Sequence, residues 1–170
     1  MTDLRDATES EALASDFARD VRKLMPDLLK YFLRRIDPRD DAADCLSDTL
    51  VVLWRRKGRA PTDADAFRAW SFGIARNVAA NQRRQQRRRS DLATRLRNEL
   101  SVYQPEGSDH GADLHAALET LSSDDRELVT LVAWDGFGVA EAGAALGLKA
   151  EASRARYSRA RARLREILSE

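Results

Sequence analysis

Apolar residues recur at intervals of three or four along most of this 170-residue chain, which is the spacing of one face of an α-helix. No run of residues alternates between apolar and polar in the manner of a half-buried strand. Glycine and proline, which interrupt helices, number only eight and four. The pattern therefore predicts an all-α protein, and the length suits either one domain or two small ones.

Four helices are predicted in the N-terminal half. The first covers Glu11–Leu24, and the second begins at Pro26, whose missing N–H would have no partner at a first helical position anyway. Asp40 or Asp41 is expected to cap the third helix, whose apolar face is predicted to carry Ala43, Leu46, Leu50, Leu53 and Trp54. After a loop, a long fourth helix is expected from Ala66 to about Arg89.

The helical periodicity stops between about Asn98 and Gly111, where several helix-breaking residues occur together. We interpret residues 98–112 as a flexible linker. The predicted architecture is therefore two small helical domains, over residues 1–97 and 113–170.

The C-terminal part has the pattern of a helix-turn-helix. Ser122 or Ser123 is expected to cap one helix, and a short helix follows over Val139–Leu146. Gly147 then interrupts the chain before a long basic helix that begins at Ala150. A helix, a short turn with glycine and a basic second helix are typical of this DNA-binding motif.

The formal net charge of +1 hides a strong segregation of charge. Six arginines and no acid lie between Arg76 and Arg89, and seven bases face one acid between Lys149 and Arg165. The stretch 98–141 between them has ten acids and one arginine. Guanidinium groups suit phosphates and base edges, so the two basic blocks indicate nucleic-acid contact rather than two solvated helix faces.

The terminal helix separates into a buried stripe and two basic flanks when its residues are placed about 100° apart. The predicted buried stripe consists of Ser153, Tyr157, Ala160, Leu164 and Ile167. The flanks carry Arg154, Ser158, Arg161 and Arg165 on one side, and Arg156, Arg159 and Arg163 on the other. Such a helix is able to enter a major groove with one set and to touch phosphates with the other.

Other classes of protein fit the sequence poorly. No stretch approaches the roughly 18 apolar residues of a membrane span, and the acidic, polar start resembles no targeting signal. Cys45 is the single cysteine, which is typical of a reducing, cytoplasmic setting, and we interpret it as a packing residue. His110 and His115 give no zinc-binding spacing, and no phosphate loop or nucleophile elbow occurs. We therefore expect no catalysis, no cofactor and no metal.

Several segments of the chain resemble sigma factors of bacterial RNA polymerase. Residues 41–50 with 53–55 are similar to the polymerase-clamp-binding helix of that family. Residues 67–70 with 74–77 resemble its next block. Residues 121–136, 140–141, 146–147 and 158–164 resemble its promoter-reading domain. The compact size resembles the extracytoplasmic-function (ECF) subgroup.

The resemblance implies roles for individual residues of the N-terminal domain. Asp44, Ser47 and Asp48 would dock on core RNA polymerase, and Asn77 would read a flipped, unpaired base near the start site. Trp70 lies where the family has an aromatic residue, and core packing is favoured over base stacking for it. The predicted contacts to the DNA backbone are Arg76, Arg83, Arg84, Arg87 and Arg88.

In the C-terminal domain the resemblance implies contacts to the upstream promoter element. The matching positions are Arg154, Ala155, Ser158 and Arg159. Arg156 and Arg161 of the same helix complete the predicted DNA-contacting set.

The leading functional hypothesis is a sigma factor that directs RNA polymerase core to promoters and assists DNA opening, with an anti-sigma factor as a further partner. One alternative is a sigma-like decoy that binds an anti-sigma factor without initiating transcription. It is motivated by departures from the family pattern, among them Ser47 and the pair Ala142-Gly143, where glycine costs a helix about 0.5–1 kcal/mol. A stand-alone helix-turn-helix regulator is the other alternative, and it leaves the long basic helix without a role.

Overall fold

The computed structural model describes residues 3–100 and 112–169, and these form α-helices and one 3₁₀ turn, without a strand. The predicted all-α fold is thereby confirmed. His110 and all but the ends of the predicted linker lie outside the described residues. The helices are α1 (Asp3–Leu33), α2 (Asp41–Arg55), α3 (Ala64–Leu100), α4 (Ala112–Glu119), α5 (Ser123–Ala133), α6 (Val139–Ala145) and α7 (Ala150–Leu168), with the 3₁₀ turn at Lys57–Arg59.

The chain divides into two compact units, residues 1–82 and 83–170. The division falls inside α3, ahead of the predicted linker at 98–112. The domain limits 1–97 and 113–170 therefore stay a prediction. Each unit is described below by itself.

The first unit is built around the C-terminal half of α1. Leu28, Tyr31 and Phe32 are fully buried there, together with Leu53 of α2. The Tyr31 ring meets the ring of Phe72 of α3 edge-on, with centroids 5.4 Å apart. Such an aromatic pair contributes about 0.5–1.5 kcal/mol beyond its buried area, so it ties α1 firmly to α3.

The predicted break at Pro26 is wrong, because α1 continues through this residue to Leu33. Proline inside a helix loses one backbone hydrogen bond and costs about 3 kcal/mol. Full burial contributes about 1.5–3 kcal/mol for each large apolar side chain. Leu28, Tyr31 and Phe32, all just beyond the proline, are 0% exposed, so their packing outweighs the penalty.

The third predicted helix, α2, begins where expected but buries a different face. Its buried residues are Ala42, Cys45, Thr49 and Leu53, whereas Trp54, predicted on the apolar face, is 49% exposed. The apolar residues of this short helix nearly encircle it, so their spacing alone did not identify the buried side.

The cap of α2 and the bounds of α3 also differ from expectation. Asp40 occupies the N-cap position of α2 without a capping hydrogen bond. Asp41 instead accepts a hydrogen bond from Gln82 Nε2 of α3 at 2.8 Å. The Asp63 carboxylate accepts from the Ala66 backbone N–H at 2.8 Å and so caps α3, which begins at Ala64 and extends eleven residues beyond Arg89.

The second unit packs α4, α5 and α7 around a small apolar core. That core contains Ala117, Leu118, Leu121, Val129, Ala160 and Leu164, with Tyr157 and Ile167 packed against it. The Ser122 side chain accepts a hydrogen bond from the Asp125 backbone N–H at 3.2 Å, as predicted for the cap of α5. Gly147, which lies between α6 and α7, has a φ of +73°, so its lack of a side chain permits the tight turn.

Candidate functional site

The outer face of α7 is the first candidate surface. The predicted buried stripe is observed, because Ser153, Ala160 and Leu164 are each at most 9% exposed. The residues that point away from it carry the predicted DNA contacts. Those that are exposed are Arg154, Ala155, Ser158, Arg159 and Arg161.

Arg156 differs from the other predicted contacts on α7. Its Nε donates a hydrogen bond to Asp125 Oδ1 of α5 at 2.7 Å, and both side chains are 27% exposed. The structure therefore does not group Arg156 with the exposed arginines of this helix.

The crossing of α6 and α7 explains a residue that looked unfavourable in the sequence. A Cβ placed on Gly143 would lie 2.5 Å from Ser153 Cβ and would overlap Ser153 Oγ. Real Cβ atoms do not approach other atoms so closely. Gly143 therefore permits the two helices of the helix-turn-helix to touch, and this packing role offsets its cost to the helix.

The hydroxyl of Ser153 completes this contact from the side of α7. It donates a hydrogen bond to the Lys149 carbonyl at 2.9 Å, so a buried polar group is satisfied within the helix. No local sequence pattern reports this contact, because Gly143 and Ser153 lie on different helices.

The candidate residues of the first unit lie on α3. Asn77 is exposed, and Trp70 and Arg76 are half-buried. Trp70 contacts Phe67, with ring centroids 5.9 Å apart and an angle of 36° between the rings. Because Trp70 and Asn77 are separated by two helical turns, they lie on the same side of α3.

The arginines that continue α3 are exposed as well. Arg83, Arg84, Arg87 and Arg88 all present their side chains to solvent. The side chain of Arg89 and those beyond it on α3 lie outside the described residues. A run of exposed guanidinium groups gives this segment the electrostatic character that a DNA backbone requires.

A third candidate surface lies on α2. Asp44, Ser47 and Asp48 are exposed, and Val51, one turn further on, is 50% exposed. The hydroxyl of Ser47 donates to the Ala43 carbonyl at 3.0 Å, so it is engaged by its own helix. The surface therefore offers two carboxylates beside an exposed apolar side chain.

Cys45 lies on the buried side of α2 and is 2% exposed. Burial, with the neighbouring carboxylates of Asp48, Asp41 and Asp44 as smaller contributions, raises the pKa of the Cys45 thiol to about 11. Both effects disfavour the thiolate, which is the reactive form. The interpretation of Cys45 as a packing residue agrees with this environment.

The buried thiol of Cys45 should be unreactive in the folded chain. Because the thiol stays protonated well above neutral pH, the native chain should resist alkylation by iodoacetamide at pH 8. The same chain unfolded in urea should react rapidly, which provides the control. Mass spectrometry over a time course measures both, and fast modification of the native chain would show that Cys45 is accessible and ionised.

Sequence reasoning missed a groove in the first unit. It has a volume of about 690 Å³ and lies between α1 and the segment that leads into α3. The apolar part of its lining is formed by Phe17, Leu24 and Phe67. Its charged lining residues include Lys23 and Lys57. Phe17 packs edge-on against Phe67, with centroids 5.8 Å apart, so the groove follows from a tertiary contact that no local pattern reports.

Among the residues that the structure describes, no group of three or more His, Cys, Asp or Glu side chains is arranged to hold a metal ion. Over the same residues, no helix combines the length and hydropathy that crossing a membrane requires.

The second unit contains a helix-turn-helix whose second helix, α7, is lined with arginines, and α3 carries a further run of arginines. These features define a helical DNA-binding protein. Residues 21–89 match the family sigma-70 region 2, and residues 112–164 match the family sigma-70 region 4. The chain belongs to the sigma-70 family, in its ECF subgroup, and is a sigma factor of transcription initiation.

Individual relatives agree with this assignment. The RNA polymerase sigma factor CarQ of Myxococcus xanthus is 31% identical over 173 residues, which cover 100% of this chain and 96% of CarQ. The ECF RNA polymerase sigma factor EcfG of Rhodopseudomonas palustris is 28% identical over 92% of this chain and 87% of its own. The sigma factor RpoE of Bartonella quintana, solved in complex with the anti-sigma factor NepR, has 28% identity and a TM-score of 0.61 over 91% of this chain and 97% of RpoE.

Proposed function

We propose that this sigma factor guides core RNA polymerase to promoters through two DNA-contacting surfaces, one on α3 and one on α7. The observation that carries the proposal is the display of Arg154 and its exposed neighbours on α7, whose opposite side is buried in the second unit. A helix fixed in this way presents side chains to a major groove without first paying the entropy of becoming ordered.

The surface on α3 would hold the opened strand. Unstacking a base costs a few kcal/mol per step, so a protein without an energy source must offset this cost by binding the single strand. The exposed amide of Asn77 has both a donor and an acceptor for a base edge. The exposed arginines at 83, 84, 87 and 88, with Arg76, would add affinity for the backbone that is independent of sequence.

The surface on α2 would dock on the polymerase. Asp44 and Asp48 are exposed one turn apart, and Val51 continues the same side of the helix. Two carboxylates beside an apolar side chain suit a basic partner surface with an apolar centre. Ser47 would contribute little through its hydroxyl, which already bonds to Ala43.

The remaining assignments concern organisation and regulation. We propose a core-binding and promoter-opening domain over 1–97, a linker over 98–112 and a promoter-reading domain over 113–170. RpoE of B. quintana, a structural neighbour, binds an anti-sigma factor, and we propose that a protein of this class also controls the present chain. It would act in the cytoplasm, where the polymerase is, and without catalysis of its own.

Replacing Arg154 by alanine tests the role of α7. We expect a changed preference among upstream-element sequences, with a loss of about 1–3 kcal/mol on the preferred sequence, because a bidentate base contact is removed. A promoter library bound by the reconstituted holoenzyme measures the preference. Arg39, an exposed arginine outside every predicted DNA-contacting set, provides the control in Arg39→Ala, which should leave the preference unchanged. Uniform weakening over all sequences would mark Arg154 as a phosphate contact instead.

A further inference from the structure

The ion pair between α5 and α7 gives Arg156 a partner inside its own unit. The distance from Arg156 Nε to Asp125 Oδ1 is 2.7 Å, and the two side chains retain only 27% of their exposure. Arg154 and Arg159, on either side of it in the sequence, are exposed. A guanidinium that leaves a carboxylate in order to bind a phosphate gains less than one that is available from the start.

The carboxylate of Asp125 is oriented by its own helix. Its Oδ2 accepts a hydrogen bond from Ser122 Oγ at 2.7 Å, and Ser122 Oγ accepts from the Asp125 backbone N–H at 3.2 Å. Burial of Asp125 opposes ionisation, but the hydrogen bonds from Arg156 and Ser122 outweigh it and lower the pKa of this carboxyl. Asp125 therefore presents a fixed negative charge to α7.

Arg156 and Ser153 lie about one turn apart on α7, roughly 4.5 Å along the helix axis. Ser153 touches Gly143 of α6, whereas Arg156 reaches Asp125 of α5. Contacts to two different helices restrict both the rotation and the sliding of α7. The exposed Arg154, which would meet the promoter, lies between Ser153 and Arg156 in the sequence.

We propose that Asp125 and Arg156 form a positioning pair, which sets the rotation of α7 and so the direction in which its exposed residues meet the upstream element. In this role Arg156 does not contact DNA, contrary to the prediction from its place in the sequence. The inference rests on the proposed function of α7 as the promoter-reading helix. It adds Asp125, which no sequence pattern indicated, to the residues that determine promoter choice.

A double-mutant cycle on the full chain tests the pair without DNA. Asp125→Ala and Arg156→Ala should each lower the midpoint of thermal unfolding by about 4 °C, and the double variant should lower it no further than either alone. The reversed pair Asp125→Arg with Arg156→Asp should recover part of the loss. Additive effects of the two single substitutions would overturn the proposal.

Promoter selection by the holoenzyme, below the unfolding temperature of every variant, provides the second test. Asp125→Ala and Arg156→Ala should reduce discrimination between preferred and altered upstream elements to the same degree, and Arg156→Lys should retain part of it. Neither should change the slope of log affinity against log salt concentration, because no phosphate contact is lost. A merely structural role would leave discrimination unchanged in the folded variants, which would contradict the proposal.

Two outcomes separate this inference from the function on which it rests. A salt slope that falls by about one in Arg156→Ala but not in Asp125→Ala would identify Arg156 as a phosphate contact and overturn the positioning role. Failure of the unaltered holoenzyme to select any promoter would overturn the proposed function instead. In that case the unfolding cycle would still decide whether the two residues act as a pair.

Discussion

Asn77→Ala is expected to abolish promoter opening and to leave assembly with core RNA polymerase intact. The side chain is exposed on α3, away from the buried face that holds the first unit together, so its loss should not disturb folding. If the amide captures an unpaired base, removing it sacrifices a few kcal/mol of binding to the open strand. Since about 1.4 kcal/mol is a factor of ten, we expect transcription from duplex promoters to fall about 100-fold or more.

Asn81→Ala is the matched control, because Asn81 is also an exposed asparagine, one turn further along α3. It should transcribe like the unaltered protein. A promoter that already contains an unpaired bubble should partly restore transcription by Asn77→Ala, since the cost of opening has been removed. Loss of core binding in Asn77→Ala, measured by co-elution with the polymerase, would contradict the assignment of this residue to DNA.

Gly143→Ala is expected to destabilise the helix-turn-helix. Alanine in place of glycine normally stabilises the interior of a helix by about 0.5–1 kcal/mol. Here its Cβ would overlap Ser153 Oγ and lie 2.5 Å from Ser153 Cβ, and overpacking of a tight contact costs about 1–3 kcal/mol or more. The clash outweighs the gain in helix propensity. The free energy of unfolding, measured with urea and circular dichroism, should therefore fall.

Two further variants make this prediction specific to the helix crossing. Gly138→Ala introduces the same methyl group in the same motif, where a Cβ meets no atom within 4 Å, and should change stability by less than about 1 kcal/mol. Adding Ser153→Gly to Gly143→Ala removes both clashing atoms and should recover stability, although Ser153→Gly alone should reduce it. Equal, small effects of the substitutions at Gly138 and Gly143 would show that α6 and α7 do not touch as described.

Features of the fold that depend on neighbouring residues could be predicted from the sequence, whereas features that depend on tertiary packing could not. The Ser122 cap and the start of α7 at Ala150 depend on neighbours within one turn, and both were predicted correctly. The break at Pro26 was not, because burial of Tyr31 and Phe32 against the rest of the unit outweighs the local cost of proline. Trp54 was assigned to the wrong face because the apolar residues of α2 nearly encircle the helix, so only tertiary packing decides which side is buried.

For the candidate site too, helical periodicity was informative, whereas contacts between helices could not be predicted. The exposed side of α7 followed from helical periodicity, whereas the roles of Asn77 and Asp44 came from family resemblance and stay predictions. The pairing of Asp125 with Arg156 joins residues 31 positions apart, which a charge pattern along the chain does not report. The need for glycine at position 143 likewise depends on Ser153 of another helix.

Run-off transcription with purified core RNA polymerase and a library of duplex promoters measures whether this chain selects promoters and initiates transcription. We expect transcripts from a defined subset of promoters only when this chain is added, and their loss with Asn77→Ala. No binding to the core enzyme and no transcript, with tight binding to an anti-sigma protein instead, would indicate a decoy. Specific binding to duplex DNA without the polymerase, again without transcript, would indicate a stand-alone regulator, and either result would contradict the account.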